Sequence, residues 1–240
     1  ARHEALRTTF APVNGEPAQI IGPAALPSLP VHDLRALAPA DRARALAELT
    51  RDTLGAPFDL ARGPLLRARL VQLDEAEHLL LLGMHHIVSD GWSMGVLVRE
   101  LAALHEAFAA GAPSPLAPLP LQYADHARAQ RDALGPEALA AGLDFFRREL
   151  GGAPRVHALP LDRPRPPSPT HRGAQLPVHL SPALCAGLDA LAEATGATRF
   201  MVLLAAFDAW LHRESGSADL VVGTPVLGRD RPEIEGLIGF

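Results

Sequence analysis

Residues 84–93 read MHHIVSDGWS and join an apolar run to a segment with helical periodicity. The run before them, residues 78–84, has the length and apolar character of a buried strand. After them, apolar residues recur at the spacing of one helix face: Met94, Leu97, Val98, Leu101, Leu104 and Phe108. We therefore predict a strand, a polar loop over residues 85–91 and a helix. This arrangement places two imidazoles and a carboxylate in the loop.

Further strands and helices are predicted on both sides of this loop. Two hairpins are expected, one around the turn pair Asn14-Gly15 (residues 8–13 and 19–21) and one around the acidic turn 74–77 (residues 65–73 and 78–84). Apolar periodicity predicts helices over residues 39–54, 122–150, 182–195 and 199–214. Short apolar runs predict strands over residues 175–180 and 220–225.

A cluster of prolines follows the helix predicted over residues 122–150. Its members are Pro154, Pro160, Pro164, Pro166, Pro167 and Pro169. Proline fixes one backbone dihedral and removes a hydrogen-bond donor, so this stretch should be extended. We place a domain boundary there and expect two regions, residues 1–165 and 166–240.

Composition excludes several classes of function. All 22 basic residues are arginine, so Schiff-base, pyridoxal-phosphate and P-loop chemistries that need a lysine in the chain are excluded. The net charge of −5 and the lack of a basic stripe argue against nucleic acid as a partner.

Cysteine content and chain ends suggest the cellular setting. Cys185 is the only cysteine and forms no internal disulfide, and the apolar runs are shorter than the roughly 18 residues that span a membrane. We therefore expect a cytoplasmic protein with no membrane partner. The chain begins without methionine and ends on apolar residues, so we expect it to be cut from a longer polypeptide.

The loop has several chemical interpretations. A histidine can take a proton from an attacking amine or hydroxyl near neutral pH, although a histidine at a strand end is also common as a packed core residue. A metal site is disfavoured, because His85 and His86 point to opposite faces of an extended backbone and HExxH spacing is absent. Residues 91–95, GWSMG, match the GxSxG nucleophile elbow of α/β-hydrolases and make Ser93 a candidate nucleophile. In the nucleophile elbow the serine directly follows its strand, whereas here a loop separates the strand from Ser93. We therefore expect Ser93 to cap the helix instead.

Residues 85–91 also match HHxxxDG, the motif shared by condensation domains of nonribosomal peptide synthetases and chloramphenicol acetyltransferase-like acyltransferases. Residues 2–10, RHEALRTTF, resemble the RHExLRTxF motif of condensation domains. Other similar segments follow in the family's order: residues 57–60, 63–67, 121–125, 159–164, 223–229 and 238–240. Two positions depart from the family pattern, namely His126, where an aromatic residue is usual, and Phe145-Phe146, where Tyr-Trp is commoner.

This resemblance implies an α/β fold of two chloramphenicol acetyltransferase-like lobes with HHxxxDG at their interface. The chain would hold most of the first lobe, without its first strand, over residues 1–165, and the truncated start of the second lobe over residues 166–240. We therefore expect the isolated chain to be inactive. The implied reaction is amide formation between a donor acyl or peptidyl thioester and an acceptor aminoacyl thioester.

The resemblance also implies partners and the roles of three loop residues. 4′-Phosphopantetheine would carry both substrates on donor and acceptor peptidyl carrier proteins, next to synthetase domains such as adenylation, and no cofactor would be bound directly. His86 is expected to orient the acceptor amine and take its proton, and the Gly91 N–H to stabilise the oxyanion. His85 is expected to have a mainly structural role.

Asp90 is likewise expected to be mainly structural, as a buried carboxylate paired with Arg229 or, as the fallback, with Arg7. Residues 87–97 look most like condensation domains that join L-configured donors to L-configured acceptors. Three alternatives stay open: an epimerisation domain of the same fold, an α/β-hydrolase that uses Ser93, and a degenerate module that only recruits carriers or tailoring enzymes.

Overall fold

The computed structural model describes residues 1–170 and 172–240. The described chain divides into two compact units, one formed by Ala1–Pro136 with Val226–Phe240 and the other by Glu137–Pro225. The loop over residues 85–91 therefore lies in the same unit as the last residues of the chain. The lobe boundary expected at residue 165 is a different division and stays a prediction.

Two sheets are present in the first unit. Strand β1 (Thr8–Val13) pairs antiparallel with β2 (Glu16–Ile21), as the Asn14-Gly15 turn predicts. In the second sheet, β4 (Leu66–Gln72) lies between β3 (Val31–Asp33), which is parallel to it, and β5 (His78–Met84), which is antiparallel. Leu66 pairs with Met84, so β5 ends where the histidine loop begins.

Helix α1 (Pro39–Gly55) connects the parallel strands β3 and β4 and packs against their sheet. Its Leu46 and Leu49 contact a cluster of buried residues consisting of Leu34, Val71 and Leu81. The helix thus buries its apolar face and supports the strands that lead to the loop.

Helix α2 (Gly91–Ala109) follows the loop and packs on the other side of β5. Val96 and Leu97 of α2 form a second buried cluster with Ile238, and Leu82 of β5 packs against it. Consecutive residues of a strand point to opposite faces, so β5 contributes to both clusters. The loop is therefore held between two packed elements.

The remaining helices are distributed over both units. The first unit also contains α3 (Tyr123–Ala133) and α7 (Pro232–Glu235), and the second contains α4 (Pro136–Glu149), α5 (Pro182–Thr195) and α6 (Arg199–Ser215). Two short 3-10 helices span Glu4–Arg7 and His86–Val88. In the described residues no single helix is long and apolar enough to cross a membrane, and α5 and α6 meet that criterion only together, across a bend of 102°.

Three predictions of secondary structure are wrong. The helix expected over residues 122–150 is two helices, since Pro136 lacks an N–H and disfavours a helical residue before it. Residues 175–180 and 220–225 form no strands, because a strand requires a hydrogen-bonded neighbour and none is present in the described part of the chain. The three-residue β3 was missed, because so short a strand has no readable alternation.

Candidate active site

The loop begins with a tight turn that fixes His85. Its N–H donates to the carbonyl oxygen of Leu65 (3.0 Å), and its ring Nδ1 accepts a hydrogen bond from the N–H of Ile87 (3.0 Å). The ring is half-buried and meets the edge of the Phe58 ring, with centroids 5.8 Å apart. His85 therefore holds the turn in shape through its ring and its backbone N–H.

His86 is exposed and lines an open cavity of about 360 Å³ together with Ser89, Asp90 and Gly91. Its ring meets the ring of Phe240 edge-to-face, with centroids 5.1 Å apart. An exposed imidazole at a cavity wall is accessible to a substrate and can exchange a proton with it. The described residues contain no group of three or more histidine, cysteine or acidic side chains placed to hold a metal ion.

Asp90 is the N-cap of helix α2. Its carboxylate oxygen Oδ1 accepts hydrogen bonds from the Ser93 backbone N–H and from the Ser93 hydroxyl, both at 2.7 Å. Partial burial works against ionisation, but the hydrogen bonds from Ser93 and the charge of Arg229 outweigh it and hold the pKa of Asp90 below its ordinary value. The side chain is 21% exposed, so it is partly buried rather than fully buried as expected.

Arg229 is the arginine in contact with Asp90. Its Nη2 lies 3.3 Å from both carboxylate oxygens, and its Nη1 donates to the carbonyl oxygens of Ile234 (2.6 Å) and Leu237 (2.8 Å). The fallback residue Arg7 is elsewhere, bound to Glu4 at 3.0 Å and to the Gly22 carbonyl oxygen. Arg229 thus connects the first turn of α2 to the last residues of the chain.

Ser93 is fully buried and does not cap the helix, which corrects the expectation from sequence. The helix begins at Gly91, so Ser93 occupies its third position and Asp90 is the cap. The Ser93 hydroxyl lies 2.7 Å from Asp90 Oδ1 and 2.7 Å from the Gly239 carbonyl oxygen, and it accepts a hydrogen bond from the Gly239 N–H (3.1 Å). A buried hydroxyl with these partners has no path to a substrate, so the geometry disfavours Ser93 as a nucleophile.

Gly91 is the first residue of α2 and is exposed on the cavity. The first N–H groups of a helix have no acceptor inside the helix, and the positive end of the helix dipole lies there. A Cβ at position 91 would meet no atom within 4 Å, so the space beside the Gly91 Cα is open. The N–H of Gly91 can therefore approach a developing negative charge on a substrate.

Tyr123 and Phe240 belong to the site, although sequence reasoning did not identify them. The Tyr123 hydroxyl donates to the Phe240 carbonyl oxygen, and the Tyr123 ring lies so close to Gly239 that a Cβ there would overlap it. Burial raises the pKa of Tyr123, so the phenol is a donor at neutral pH. The only available signal was that residues 121–125 and 238–240 both match motifs of the same family.

A second cavity, of about 740 Å³, is lined by Leu6, Leu97 and Leu104 among others. None of residues 85–91 lines it. The cavity that contains His86 combines an accessible imidazole with the N–H at the start of helix α2.

Comparison with known protein families gives a match over the whole chain. The model of the family described as "Condensation domain" matches residues 1–240. One of the linear gramicidin synthase proteins of Brevibacillus parabrevis is 49% identical over 239 residues, which is 100% of this chain and 3% of that protein. The chain thus spans a small part of this relative.

Solved structures show the same likeness. The X-domain in its complex with OxyB from teicoplanin biosynthesis is 33% identical and superposes with a TM-score of 0.87 over 100% of this chain and 52% of that one. The first condensation domain of the calcium-dependent antibiotic synthetase, in complex with a substrate analogue, is 29% identical with a TM-score of 0.71 over 100% of this chain and 56% of that one. The α/β fold expected from the resemblance is confirmed.

Proposed function

The chain belongs to the condensation-domain family of nonribosomal peptide synthetases, and we propose that it forms the amide bond between a donor acyl or peptidyl thioester and an acceptor aminoacyl thioester. The observation that carries this proposal is the placement of His86, exposed on a cavity next to the Gly91 N–H. A base and an oxyanion donor on one cavity are the two groups that aminolysis of a thioester requires.

In the proposed reaction, the nitrogen of the acceptor amine attacks the carbonyl carbon of the donor thioester. An α-amine has a pKa of about 7.7–8.0, so much of it is neutral near pH 7.5 and orientation supplies much of the rate. His86 accepts the proton that the nitrogen loses, the Gly91 N–H stabilises the oxyanion, and the C–S bond breaks as the amide forms. The sulfur leaves on the donor carrier and takes the proton. The scheme needs no covalent nucleophile.

His85 and Asp90 support this geometry without touching the substrate. His85 fixes the turn through Ile87, and Asp90 fixes the start of α2 through Ser93 and Arg229. This assignment is supported by the engagement of both side chains with protein groups.

The substrates and partners belong to the same proposal. We propose that 4′-phosphopantetheine on a donor and an acceptor peptidyl carrier protein presents both thioesters, and that an adenylation domain is a neighbour. A cytoplasmic location agrees with the lone Cys185, since disulfides are rare in that compartment. Residues 1–240 alone are expected to be inactive, because they span about half of the similar solved chains.

We propose joining of an L-donor to an L-acceptor rather than epimerisation, because residues 87–97 resemble condensation domains of that kind. The epimerisation alternative predicts a different product, the inverted α-carbon of one aminoacyl thioester. Chiral analysis of the product of a single aminoacyl carrier distinguishes the two activities.

A second candidate function is recruitment of another enzyme without catalysis. It is favoured by the likeness to the X-domain, which forms a complex with OxyB. The two candidates differ in what they require of His86, since recruitment does not need an accessible imidazole.

Amide formation by the full-length polypeptide tests the proposal, with a loaded donor carrier and a series of loaded acceptor carriers. We expect His86→Ala to lower the rate by about 10²–10⁴-fold, with less loss for acceptors whose amine is already deprotonated and well oriented, while both carriers still bind. The matched control is His179→Ala, since His179 is an exposed histidine of the second unit. Unimpaired turnover of His86→Ala with several acceptors would remove His86 from the mechanism, and absence of amide from the parent protein would favour recruitment.

A further inference from the structure

The cavity beside His86 has an apolar wall that the proposed chemistry does not use. This wall consists of Leu54, Phe58, Leu82, Met84 and Met94. Leu54 is 53% exposed and Met94 is 40% exposed, although both are large apolar residues next to the loop. Apolar side chains left open at the edge of a reactive group indicate a binding surface.

Apart from His86 and the Gly91 N–H, which the proposed reaction uses, the polar side chains on the cavity are engaged within the protein. Asp90 accepts from Ser93 at 2.7 Å and contacts Arg229 at 3.3 Å, and the Ser89 hydroxyl donates to the His85 carbonyl oxygen at 3.4 Å. No arginine lines the cavity, and the chain has no lysine. With His86 and the Gly91 N–H occupied by the reacting groups, a charged side chain would find no further free partner here, so the remaining space suits an apolar group.

Phe58, the aromatic residue of the wall, is held in place by Arg67 and His85. The Arg67 guanidinium stacks on the Phe58 ring at 3.9 Å and donates to the carbonyl oxygens of Ala56 and Pro57, both at 2.6 Å. The His85 ring meets the Phe58 ring at its edge. Phe58 is therefore fixed between the catalytic loop and Arg67.

The aliphatic part of the wall depends on a glycine. A Cβ at Gly83 would lie 2.9 Å from the Thr53 carbonyl oxygen and 3.4 Å from Leu54 Cδ2. Gly83 thus permits the last turn of α1 to approach β5 closely and brings Leu54 to the cavity.

We propose that this cavity binds the side chain of the acceptor amino acid and prefers an apolar one. This inference rests on the proposed function, because it takes His86 as the group that receives the acceptor amine. The α-carbon is one bond from that amine, so the acceptor side chain must lie near His86. At about 360 Å³, the cavity is at the small end of ligand pockets, about 300–1,000 Å³, which suits one side chain rather than a peptidyl chain. The flexible thioethers of Met84 and Met94 let the wall adapt to different apolar shapes.

Acceptor competition in the full-length polypeptide tests this subsite. Acceptor carriers are loaded with glycine, leucine or asparagine, the last two being similar in size and different in polarity. We expect kcat/KM for the leucyl acceptor to exceed that for the asparaginyl acceptor by about tenfold or more. Equal values, or a preference for asparagine, would overturn the inference.

Variants of Met94 test the location of the subsite. Met94→Trp should narrow the cavity and lower kcat/KM for the leucyl acceptor by about tenfold more than for the glycyl acceptor, because glycine has no side chain to place. Met94→Ala should enlarge the cavity and shift the preference from leucine towards larger apolar acceptors. The matched control is Met201→Trp, since Met201 is an exposed methionine of the second unit.

The outcomes separate the two proposals. Equal loss for glycyl and leucyl acceptors in Met94→Trp, with no shift in Met94→Ala, would refute the cavity while the amide-forming function stands. Absence of amide from the parent protein with every acceptor would refute the function, and the subsite with it.

Discussion

Replacing Arg229 with alanine should loosen the end of the first unit more than replacing Asp90 does. Both residues contribute to one ion pair, but only Arg229 also binds backbone carbonyl groups of the segment Val226–Phe240. The expected order of destabilisation is therefore Arg229→Ala, then Asp90→Ala, then Asp90→Asn.

The magnitudes follow from the contacts. A hydrogen bond with one charged partner contributes about 1.5–3 kcal/mol, so loss of the two short bonds from Arg229 to Ile234 and Leu237 should cost about 3–6 kcal/mol. Asp90→Ala removes a helix cap, which contributes about 1 kcal/mol, and leaves one guanidinium group without its counter-charge. Because the carboxylate is 21% exposed and lies 3.3 Å from Arg229, we expect a total of about 2 kcal/mol, below the range for fully buried pairs.

Hydrogen–deuterium exchange with mass spectrometry measures these effects locally, without requiring two-state unfolding of a large polypeptide. Peptides over residues 90–96 and 232–240 report the two ends of the interaction. Since 1.4 kcal/mol corresponds to tenfold, Arg229→Ala should speed exchange in residues 232–240 by about 10²–10⁴-fold and Asp90→Ala by about 30-fold. Asp90→Asn keeps the cap and removes the charge, so it should give a smaller change than Asp90→Ala.

A double-variant cycle completes the test, with a coupling free energy of about 1 kcal/mol expected between Asp90 and Arg229. The reasoning is refuted if Asp90→Ala loosens residues 232–240 as much as Arg229→Ala does. Strict additivity of the two variants would show that the 3.3 Å contact contributes nothing.

Three further predictions concern neighbours of this pair. Ser93→Ala should keep measurable amide formation, and a fluorophosphonate probe should not label Ser93. Covalent labelling of Ser93 would support the alternative of an α/β-hydrolase with Ser93 as its nucleophile. Gly239→Ala should cost about 1–3 kcal/mol through overlap with the Tyr123 ring, and the same substitution in a Tyr123→Ser background should cost clearly less on a thermal melt; an equal cost in both backgrounds would exclude the overlap as the cause. His3 is buried, which lowers its pKa against the opposing effect of its acidic neighbour, and its Nδ1 accepts from the Ile238 N–H. Its neutral form therefore stabilises the fold fully above pH 6.5 and progressively less as pH falls below it. The protection factor of the Ile238 N–H, which is corrected for the intrinsic pH dependence of exchange, should fall on acidification, and a constant protection factor would contradict this.

The strand, loop and helix around His86 could be predicted because the hydrophobic pattern changes abruptly there. A continuous apolar run ends at Met84, and helical spacing starts at Met94. The first turn of α2 has no apolar face, so its start at Gly91 was not visible and the cap was assigned to Ser93 instead of Asp90.

The contacts that complete the site could not be predicted from local pattern. Periodicity reports which face of an element is buried, and it contains no information on which distant residue covers that face. The positions of Tyr123 and Phe240 depend on contacts across more than a hundred residues. Arg229 was selected through family resemblance alone.

In the second unit, the prediction of strands failed for a different reason. Residues 175–180 and 220–225 have strand-like composition, but sheet formation depends on an available neighbour as well as on composition. Helices α5 and α6 form their backbone hydrogen bonds within one segment each, so apolar periodicity was enough to predict them over residues 182–195 and 199–214.

The link between Arg229 and Asp90 has a consequence for how this protein is made. The two residues are separated by 139 positions, and a ribosome adds about 5–20 residues per second. For roughly 7–28 s after Asp90 is synthesised, its counter-ion does not yet exist. The loop over residues 85–91 therefore leaves the ribosome with an unpaired carboxylate and an uncovered helix start, and it reaches its folded shape only after the chain has been translated past Gly239.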